Sequence, residues 1–213
     1  MERFFDILFS SLAILVFSPF LVLIIFVLRL TGEGEVFFRQ ARVGKDKVSF
    51  GLLKFATMLK ASEGIGAGTV TLKDDFRVLP FGKFLRKTKL NELPQLFNIF
   101  LGDMSVIGPR PPHNKQFSFY SIDDQNIIAS TMPGLSGVGS IVFRDEEKIL
   151  QNSSDPDTTY KEEITPKKAA LEKWYVKNKS IGLYFKLIFL TVIAVFSSNI
   201  DMKKFFIGLS LNL

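Results

Sequence analysis

An uncharged, apolar run of 22 residues near the N-terminus limits what this chain can fold into more than any other feature of the sequence. The run extends from Ile7 to Leu28 and contains no Asp, Glu, Lys or Arg. As a continuous helix it would be about 33 Å long, at about 1.5 Å per residue, and the hydrocarbon core of a bilayer is about 30 Å thick. A cleaved signal peptide fits poorly, because the run is too long and Glu2 and Asp6 precede it. The sequence therefore predicts a helix embedded in a membrane.

A serine and a proline, Ser18 and Pro19, lie near the middle of this run. Proline removes one backbone donor and clashes with the carbonyl four residues earlier, so we expect a kink there. The serine hydroxyl can donate a hydrogen bond to the freed backbone, which makes the kink tolerable in lipid. Two topologies remain open: a bent helix that spans the membrane, or a helix-break-helix hairpin that enters and leaves by the same face. The physics of these residues alone favours the spanning helix.

Basic residues are placed unevenly around the apolar run. Arg3 precedes it, whereas a group of five basic residues follows within twenty positions: Arg29, Arg39, Arg42, Lys45 and Lys47. By the positive-inside rule, we expect most of the chain to lie in the cytoplasm. The net charge of +6 also indicates an anionic partner, which could be nucleic acid, anionic lipid or a phosphorylated small molecule.

The metal chemistry open to the chain is narrow. The sequence has no cysteine, and His113 is the only histidine. Thiolate-bound zinc, iron–sulfur clusters and histidine-rich metal sites are therefore excluded. Any metal ion would need oxygen ligands, which favours magnesium or a similar hard cation.

Beyond the apolar run, the pattern is typical of a mixed α+β domain. Two short strands are predicted around residues 36–38 and 48–55, joined by a Gly-Lys-Asp-Lys turn. The glycine-rich stretch 62–70 lacks the spacing of a nucleotide-binding fingerprint and is interpreted as a loop. A basic helix is predicted after Pro166, followed by an apolar segment at 181–196 that suits a core helix or one lying at the membrane interface.

An amphipathic helix is predicted from Asn91, because apolar residues recur at helical spacing up to Leu101 and Gly102 supplies a stop. Asn91 would be the N-cap, with Glu92 and Pro94 in the first turn. A capped surface helix accounts for this pattern. The alternative is that Glu92 is a carboxylate at a phosphate-binding helix start, because Arg86, Lys87 and Lys89 lie just before it.

A second basic feature follows this helix. Arg110 lies between Pro109 and Pro111, whose fixed φ angles near −65° stiffen the backbone on both sides of one guanidinium. A planar guanidinium matches two phosphate oxygens, so the segment is a candidate diphosphate clamp. A structural arginine that bridges loops is the alternative.

Together these parts resemble the small monotopic phosphoglycosyl transferases of the bacterial sugar transferase family, from about Phe5 to Ile193. The most specific stretch is "LRKTKLNELPQLFNIFLGDMSVIGPRPP" at 85–112, and "FFRQARVG", "LLKFATM", "PGLSG" and "WYVKNKS" support it. The resemblance implies that residues 1–30 form a re-entrant membrane hairpin broken at Ser18-Pro19. It implies that residues 31–213 form a small, mostly helical catalytic domain on the cytoplasmic face of the cell inner membrane, with a short β-hairpin and interfacial amphipathic helices.

The resemblance also implies a reaction. A phospho-sugar would move from a nucleotide sugar, usually a UDP-sugar, to polyprenol phosphate, giving a polyprenyl-diphosphate sugar and UMP. This would be the initiating step of a bacterial surface glycan, with magnesium (Mg²⁺) as cofactor and membrane lipid as surroundings. A homo-oligomer or other glycan-assembly enzymes are possible protein partners. A nucleic-acid partner is not expected, because no nucleic-acid-binding motif is recognisable.

The family's catalytic feature is an adjacent Asp-Glu pair at the helix start, in which the aspartate is the nucleophile. Asn91-Glu92 stands there in this chain, and an amide is a poor nucleophile and supplies no anionic metal ligand. Three explanations are open: an inactive homologue that binds substrate or serves as a scaffold, Glu92 as nucleophile or base as well as metal ligand, or substitution by another carboxylate such as Asp103.

The resemblance also assigns roles to other positions. Lys54 and Arg86 match basic residues that line the family's phosphate site, and Arg110 matches its clamp. Where the family often has a second basic residue and two aspartates, this chain has Ala56, Glu172 and Tyr184. These changes put nucleotide and sugar contacts in question.

Overall fold

The apolar N-terminal run forms one helix, α1 (Glu2–Leu30), in this computed structural model. Only 17% of its most apolar 18-residue window is buried, and large apolar side chains such as Leu15, Phe20 and Phe26 are exposed. Among the residues that the structure describes, α1 alone is long and apolar enough to cross a membrane. So much exposed apolar surface is what lipid contact requires, which agrees with the predicted membrane helix.

Helix α1 continues through Ser18 and Pro19. The Ser18 hydroxyl donates a 2.8 Å hydrogen bond to the carbonyl oxygen of Leu15, the carbonyl that faces the proline ring. The predicted return of a hydrogen bond by the serine is therefore confirmed. The helix does not end at the proline, and the re-entrant topology stays a prediction.

The structure describes residues 1–62, 65, 75–151, 153–197 and 200–206, and the chain divides into two compact units. We call Ile7–Gln40 with Gly51–Phe100 the N-terminal unit. Met1–Asp6, Ala41–Phe50 and Leu101–Leu213 make up the C-terminal unit. Each unit has its own packing and is described separately below.

The N-terminal unit is built around one apolar cluster. Its elements besides α1 are residues of the strands β1 (Phe37–Val43) and β2 (Ser49–Phe55), the helices α2 (Pro80–Lys87) and α3 (Gln95–Leu101), and a 3₁₀ turn at Leu90–Glu92. Leu21, Ile24 and Leu28 of α1 pack with Phe55 of β2 and Leu85 of α2. The partly buried residues around this cluster include Val36, Phe81, Leu90, Leu93 and Phe97. The strands and turns downstream are thereby fixed to the apolar helix.

The predicted β-hairpin is confirmed, because β1 and β2 form a two-stranded sheet. The strands are joined through a short 3₁₀ turn, Lys45–Lys47, in which Asp46 and Lys47 have positive φ. The first strand is longer than predicted and ends at Val43. Of the predicted glycine-rich loop at 62–70, only Ser62 and Ile65 lie within the described residues.

The C-terminal unit contains most of the remaining elements. They are β3 (Ser105–Ile107), α4 (Asn114–Phe117), α5 (Ile122–Ala129), β4 (Gly134–Ser136), α6 (Val138–Val142), α7 (Glu146–Gln151), α8 (Pro156–Thr159), α9 (Thr165–Lys177), α10 (Ile181–Phe196) and a 3₁₀ turn at Met202–Phe206. One π-helical turn, Tyr160–Ile164, precedes α9. With two small sheets among many helices, the α+β class is confirmed.

A short parallel sheet that the sequence did not predict joins β3 and β4, with Ser105 opposite Gly134 and Ile107 opposite Ser136. The two strand segments approach so closely that a Cβ on Gly134 would lie 2.1 Å from the backbone nitrogen of Gly108. Glycine is therefore required at this position. The "PGLSG" stretch, interpreted as a loop, forms this strand.

Helix α10 has one buried face and one exposed face. Tyr184, Leu187 and Leu190 are at most 2% exposed, whereas Phe189 and Phe196 are 65% and 85% exposed. The helix packs against α6 and both strands of the parallel sheet. It is thus a core helix, one of the two alternatives left open by the sequence, and its outer face is apolar. Its position at a membrane interface stays a prediction.

Candidate active site

Arg86 is positioned by the close packing of helix α2. Pro80 occupies the first turn of α2, where a missing N–H costs nothing. A Cβ on Gly82 would lie 2.2 Å from the carbonyl oxygen of Thr57, so the glycine lets α2 touch the chain after β2. Leu85 is fully buried, and the neighbouring Arg86 is half-buried with its Nη1 3.6 Å from the sulfur of Met58. The guanidinium is therefore held at the last turn of α2.

The turn that carries Asn91 and Glu92 differs from its prediction. Residues Leu90–Glu92 form a 3₁₀ turn after Lys89, which has a φ of 59°, and α3 begins only at Gln95. The prediction of Asn91 as an N-cap is wrong. Leu90 and Leu93 pack against the apolar cluster, and this burial sets the path of the turn in place of a capping bond. Gly102, with a φ of +100°, follows the end of α3 as predicted.

Two buried polar atoms beside this turn have no hydrogen-bond partner among the described residues. They are Oδ1 of Asn91 and Nε2 of Gln95, whose residues are 8% and 1% exposed. An unpaired buried polar atom costs about 1–3 kcal/mol. Such a cost is typical of a site where a ligand or reacting group completes the bonding. The start of α3 therefore has the character of a polar site in an apolar setting.

Lys54 and Glu92 belong to the same unit as this turn. Lys54 lies on β2, half-buried, with Nζ 3.4 Å from Oε1 of Gln40. Glu92 is half-buried on the 3₁₀ turn. The structure thus places Lys54, Arg86, Asn91 and Glu92 on elements that share one apolar cluster. Ala56, where a second basic residue was considered, is buried and donates its N–H to the carbonyl of Val36.

Arg110 lies in the C-terminal unit, directly after β3. Pro109 and Pro111 on either side are buried, whereas Arg110 itself is exposed. Its Nη1 lies 3.4 Å from the carbonyl oxygen of Leu135. The carbonyl oxygen of Pro109 accepts a 2.8 Å hydrogen bond from the N–H of Gly134. The segment is therefore fixed to β4, and its single basic side chain points outward.

Glu172, named above as standing at a family aspartate position, is buried in a polar cluster that the sequence did not predict. Glu172 of α9 is 5% exposed, and its Oε2 atom has no hydrogen-bond partner among the described residues. Burial raises the pKa of Glu172 to about 8, although Lys168 and the backbone N–H groups of Arg110 and Gly139 act in the opposite direction. Lys168 forms an ion pair with Glu146. Lys168 and Glu172 are four residues apart, a spacing that usually indicates an exposed helix face. The spacing therefore gave no sign that Glu172 is buried.

Tyr184, where a carboxylate was considered, is also fully buried. Its hydroxyl donates a 2.8 Å hydrogen bond to Oδ1 of Asp6. The same carboxylate accepts from the Ser105 hydroxyl and the Val106 N–H, both at 2.9 Å. Tyr184 is therefore part of the interior of the C-terminal unit, and its hydroxyl binds a carboxylate rather than facing a ligand.

The described side chains could hold a magnesium ion only together with a bound phosphate group. Within the described ranges, no group of three His, Cys, Asp or Glu side chains is placed to hold a metal ion. Glu92 supplies one half-buried carboxylate at the turn. Magnesium is commonly bound by one or two carboxylates together with substrate phosphates. The donor set therefore suits an ion that arrives with a diphosphate.

The sequence is similar to known proteins of one family over most of its length. A family model described as bacterial sugar transferase matches residues 1–198. The chain is 37% identical over 195 residues to a UDP-glucose:undecaprenyl-phosphate glucose-1-phosphate transferase of Klebsiella pneumoniae, with 90% of the chain and 39% of that protein covered. It is 33% identical over 208 residues to the exopolysaccharide production protein ExoY of Rhizobium meliloti (strain 1021), with 91% of the chain and 84% of that protein covered.

A third relative transfers a different sugar according to its name. It is a UDP-N-acetylgalactosamine-undecaprenyl-phosphate N-acetylgalactosaminephosphotransferase of Aeromonas hydrophila, 34% identical over 198 residues, with 90% of the chain and 42% of that protein covered. The chain thus spans about two fifths of the length of the Klebsiella and Aeromonas proteins and most of the length of ExoY.

Proposed function

The chain belongs to the bacterial sugar transferase family, and we propose that it transfers a phospho-sugar from a UDP-sugar to polyprenol phosphate, releasing UMP. The names of two relatives describe transfer of a sugar phosphate from a UDP-sugar to undecaprenyl phosphate, and both names support this reaction class. The name of a third relative refers to exopolysaccharide production. The product would be a polyprenyl-diphosphate sugar that starts a surface glycan.

One observation carries this proposal: the candidate catalytic turn packs on the apolar helix. Leu90 and Leu93 flank Asn91 and Glu92, and both contact the cluster that contains Leu21, Ile24 and Leu28 of α1. A lipid-borne phosphate and a soluble nucleotide sugar can meet only where hydrocarbon ends and water begins. A polar turn fixed to a lipid-exposed helix is a suitable place for that meeting.

The basic residues Lys54 and Arg86, in the same unit as this turn, have a clear chemical task. The diphosphate of a UDP-sugar and the lipid phosphate carry several negative charges that must approach each other. Lys54 and Arg86 would bind these phosphates by charge-assisted hydrogen bonds. For Arg110 of the C-terminal unit, the proposed role comes from the family resemblance alone: its planar fork suits a diphosphate. Magnesium, held by Glu92 and phosphate oxygens, would neutralise further charge.

The nucleophile must differ from the family's aspartate, because the residue at that position is the uncharged Asn91. We assign the attack on the sugar-bearing phosphorus to the Glu92 carboxylate, which forms a P–O bond as the bond to UMP breaks. The lipid phosphate would then attack the same phosphorus and release the carboxylate. Direct attack by the lipid phosphate is the alternative route, in which Glu92 serves only as a magnesium ligand.

A second candidate function follows from Asn91 itself. Its buried amide stands where the family has an aspartate, which favours an inactive homologue that binds nucleotide sugar or lipid and serves as a scaffold. Such a protein would bind UDP-sugar without turnover. Its partners would be other glycan-assembly enzymes or a second copy of the chain.

The location of the protein in the membrane is also a proposal. We place the protein on the cytoplasmic face of the cell inner membrane, with α1 re-entrant and the chain monotopic. The exposed apolar side chains of α1 and the basic residues that follow them in the sequence support this placement.

The test is a UMP-release assay on the full chain. The purified protein is incubated with Mg²⁺, undecaprenyl phosphate and a panel of UDP-sugars, alongside the Asn91→Asp and Glu92→Gln variants. We expect the native chain to release UMP with one sugar, Asn91→Asp to be at least as fast, and Glu92→Gln to be inactive. Release by Asn91→Asp alone would show that the native chain is inactive, and UDP-sugar binding by the native chain would then support the scaffold function. Mass spectrometry of the native chain incubated without lipid phosphate would detect a phospho-sugar on Glu92 only if the covalent route is correct.

A further inference from the structure

Asn98 of α3 uses both ends of its side-chain amide within the N-terminal unit. Its Oδ1 accepts a 2.9 Å hydrogen bond from the N–H of Leu53, and its Nδ2 donates a 3.0 Å hydrogen bond to the carbonyl oxygen of Gly51. Both partners lie on β2, and Asn98 is 5% exposed. One buried amide thus bonds two backbone groups of the same strand.

These two bonds occupy the edge of β2 that faces away from β1. Successive residues of a strand point their N–H and C=O groups to opposite edges. Ala56, directly after β2, donates its N–H to the carbonyl of Val36, directly before β1, so the even-numbered residues of β2 face β1. Gly51 and Leu53 therefore face the other edge, where the Asn98 amide takes the place of a peptide group of a third strand.

The helix that carries Asn98 is joined by backbone hydrogen bonds to the turn at Leu90–Glu92. The N–H of Leu93 bonds the carbonyl of Leu90 at 3.2 Å, and the N–H of Leu96 bonds the carbonyl of Leu93 at 3.0 Å. The turn and the helix thus form one continuous backbone segment. Asn98 therefore connects β2 to the same segment that presents the candidate catalytic turn.

The strand that Asn98 bonds carries Lys54, which directly follows Leu53. Apolar packing also holds the strand to the helix, because Phe55 belongs to the apolar cluster against which Phe97 packs. The hydrophobic effect is non-directional, so this packing does not define where along the strand the helix lies. Two hydrogen bonds to backbone groups on either side of Leu52 do define it.

We propose that Asn98 is a positioning residue for Lys54: its amide fixes β2 against α3 and so sets the lysine relative to the turn of Asn91 and Glu92. This inference rests on the proposed function for the role of Lys54 as a phosphate ligand, but not for the two hydrogen bonds. Asn98 does not touch substrate in this scheme, because it is buried and both ends of its amide bond β2. It acts on the diphosphate through the backbone of the strand.

Two replacements of Asn98 separate hydrogen bonding from packing. Asn98→Ala removes both bonds and shortens the side chain, whereas Asn98→Leu removes both bonds and keeps a branched side chain at the position. Ile99→Val is the matched control, because Ile99 is the fully buried neighbour on α3. This change loosens the packing of the same helix and leaves the amide in place.

Hydrogen exchange at the Leu53 amide measures the contact directly. The experiment uses the full chain in detergent, with mass spectrometry and electron-transfer fragmentation to resolve single amides. In Asn98→Ala and Asn98→Leu we expect exchange at Leu53 to rise about tenfold relative to the other slow amides of the N-terminal unit. In Ile99→Val it should rise no more than about twofold relative to them.

Binding of UDP, measured by calorimetry on the same proteins, tests the consequence for the diphosphate. We expect both Asn98 variants to weaken UDP binding about five- to tenfold, Lys54→Ala to weaken it by at least as much, and Ile99→Val to remain within about twofold. Because Asn98 acts through Lys54, the double variant Asn98→Ala/Lys54→Ala should bind no more weakly than Lys54→Ala alone. A merely structural role would instead lower affinity by the same factor in both backgrounds.

Four results would overturn the inference: unchanged exchange at Leu53 in both Asn98 variants, an equal loss of UDP affinity in Ile99→Val, additive losses in the double variant, or native UDP affinity in Lys54→Ala. The last result, with UMP release intact in the native chain, would remove Lys54 from the phosphate site and leave the proposed function standing. If exchange and UDP binding follow expectation but neither the native chain nor Asn91→Asp releases UMP, the proposed function fails while the inference is supported.

Discussion

The hydroxyl of Ser18 donates a 2.8 Å hydrogen bond to the carbonyl oxygen of Leu15, which lies four residues before Pro19. In an ordinary helix the amide at position 19 would bond this carbonyl, but proline has no N–H. An unpaired carbonyl in hydrocarbon costs several kcal/mol. The serine therefore makes the proline tolerable inside the apolar helix, at a point where the helix is easily bent.

Pro19→Ala should change the topology of α1. Alanine restores the N–H and removes the ring that opposes a straight helix, so a larger fraction of molecules should span the bilayer. Because the chain has no cysteine, a single cysteine in an N-terminal tag can be labelled with a membrane-impermeant maleimide in intact cells. We expect little labelling of the native chain and clear labelling of Pro19→Ala. Strong labelling of the native chain would mean that α1 spans the membrane.

Lys54 and Lys60 provide a matched pair for testing the phosphate site. Lys54 is half-buried on β2, whereas Lys60 is exposed and forms a 2.9 Å ion pair with Glu35. Losing one charge-assisted phosphate contact should lower kcat/KM of Lys54→Ala for the UDP-sugar about 10- to 100-fold. Lys60→Ala should remain within about twofold. Equal losses in the UMP-release assay would mean that general basicity, rather than the position of Lys54, serves the reaction.

Elements whose pattern repeats over many residues were predictable from the sequence. The apolar run at Ile7–Leu28, the hairpin turn at 44–47 and the basic helix after Pro166 each have a long or chemically distinct signal. The hydrogen bond of the Ser18 hydroxyl was predictable from the Ser18-Pro19 pair, because Pro19 leaves only the carbonyl four residues earlier without its helical donor. In each case local chemistry alone determines the structure.

Features that depend on contacts between distant segments were not predictable. The parallel pairing of Ser105 with Gly134 involves strands of only three residues, too short to show alternation. Asn91 has the composition of an N-cap, but the burial of Leu90 and Leu93 decides the turn. The burial of Glu172 depends on Gly139, 33 positions away in the sequence. Tertiary packing overrides local propensity at all of these positions.

Two buried tyrosine hydroxyls should differ in their contributions to stability. Tyr184 donates to the Asp6 carboxylate at 2.8 Å, whereas Tyr175 donates to the carbonyl of Ile107 at 3.3 Å. A short bond to a charged acceptor is the stronger one, so Tyr184→Phe should lower the free energy of unfolding by about 2 kcal/mol. Tyr175→Phe should cost about 1 kcal/mol or less. Thermal unfolding in detergent measures both, and the reverse order would contradict the assigned contacts.

Stability should fall with pH through Glu172. Its pKa is about 8 in the folded chain because burial disfavours the charged form, against an ordinary value of 4.5. Below about pH 4.5 both states hold the proton and the stabilising effect is complete. As pH rises towards 8, the unfolded chain releases the proton and the folded chain retains it, so the free energy of unfolding declines by up to about 5 kcal/mol. Above pH 8 the decline from this group ends.

Glu172→Gln isolates this dependence, because glutamine does not titrate and the remaining groups are common to both proteins. The stability of the native chain minus that of Glu172→Gln should be largest near pH 4.5 and should decrease steadily towards pH 8. Unfolding midpoints measured in parallel across this range provide the comparison. A difference that grows with pH would mean that Glu172 is ionised in the folded chain, held as a carboxylate by Lys168, and the raised pKa assigned to it would then be wrong.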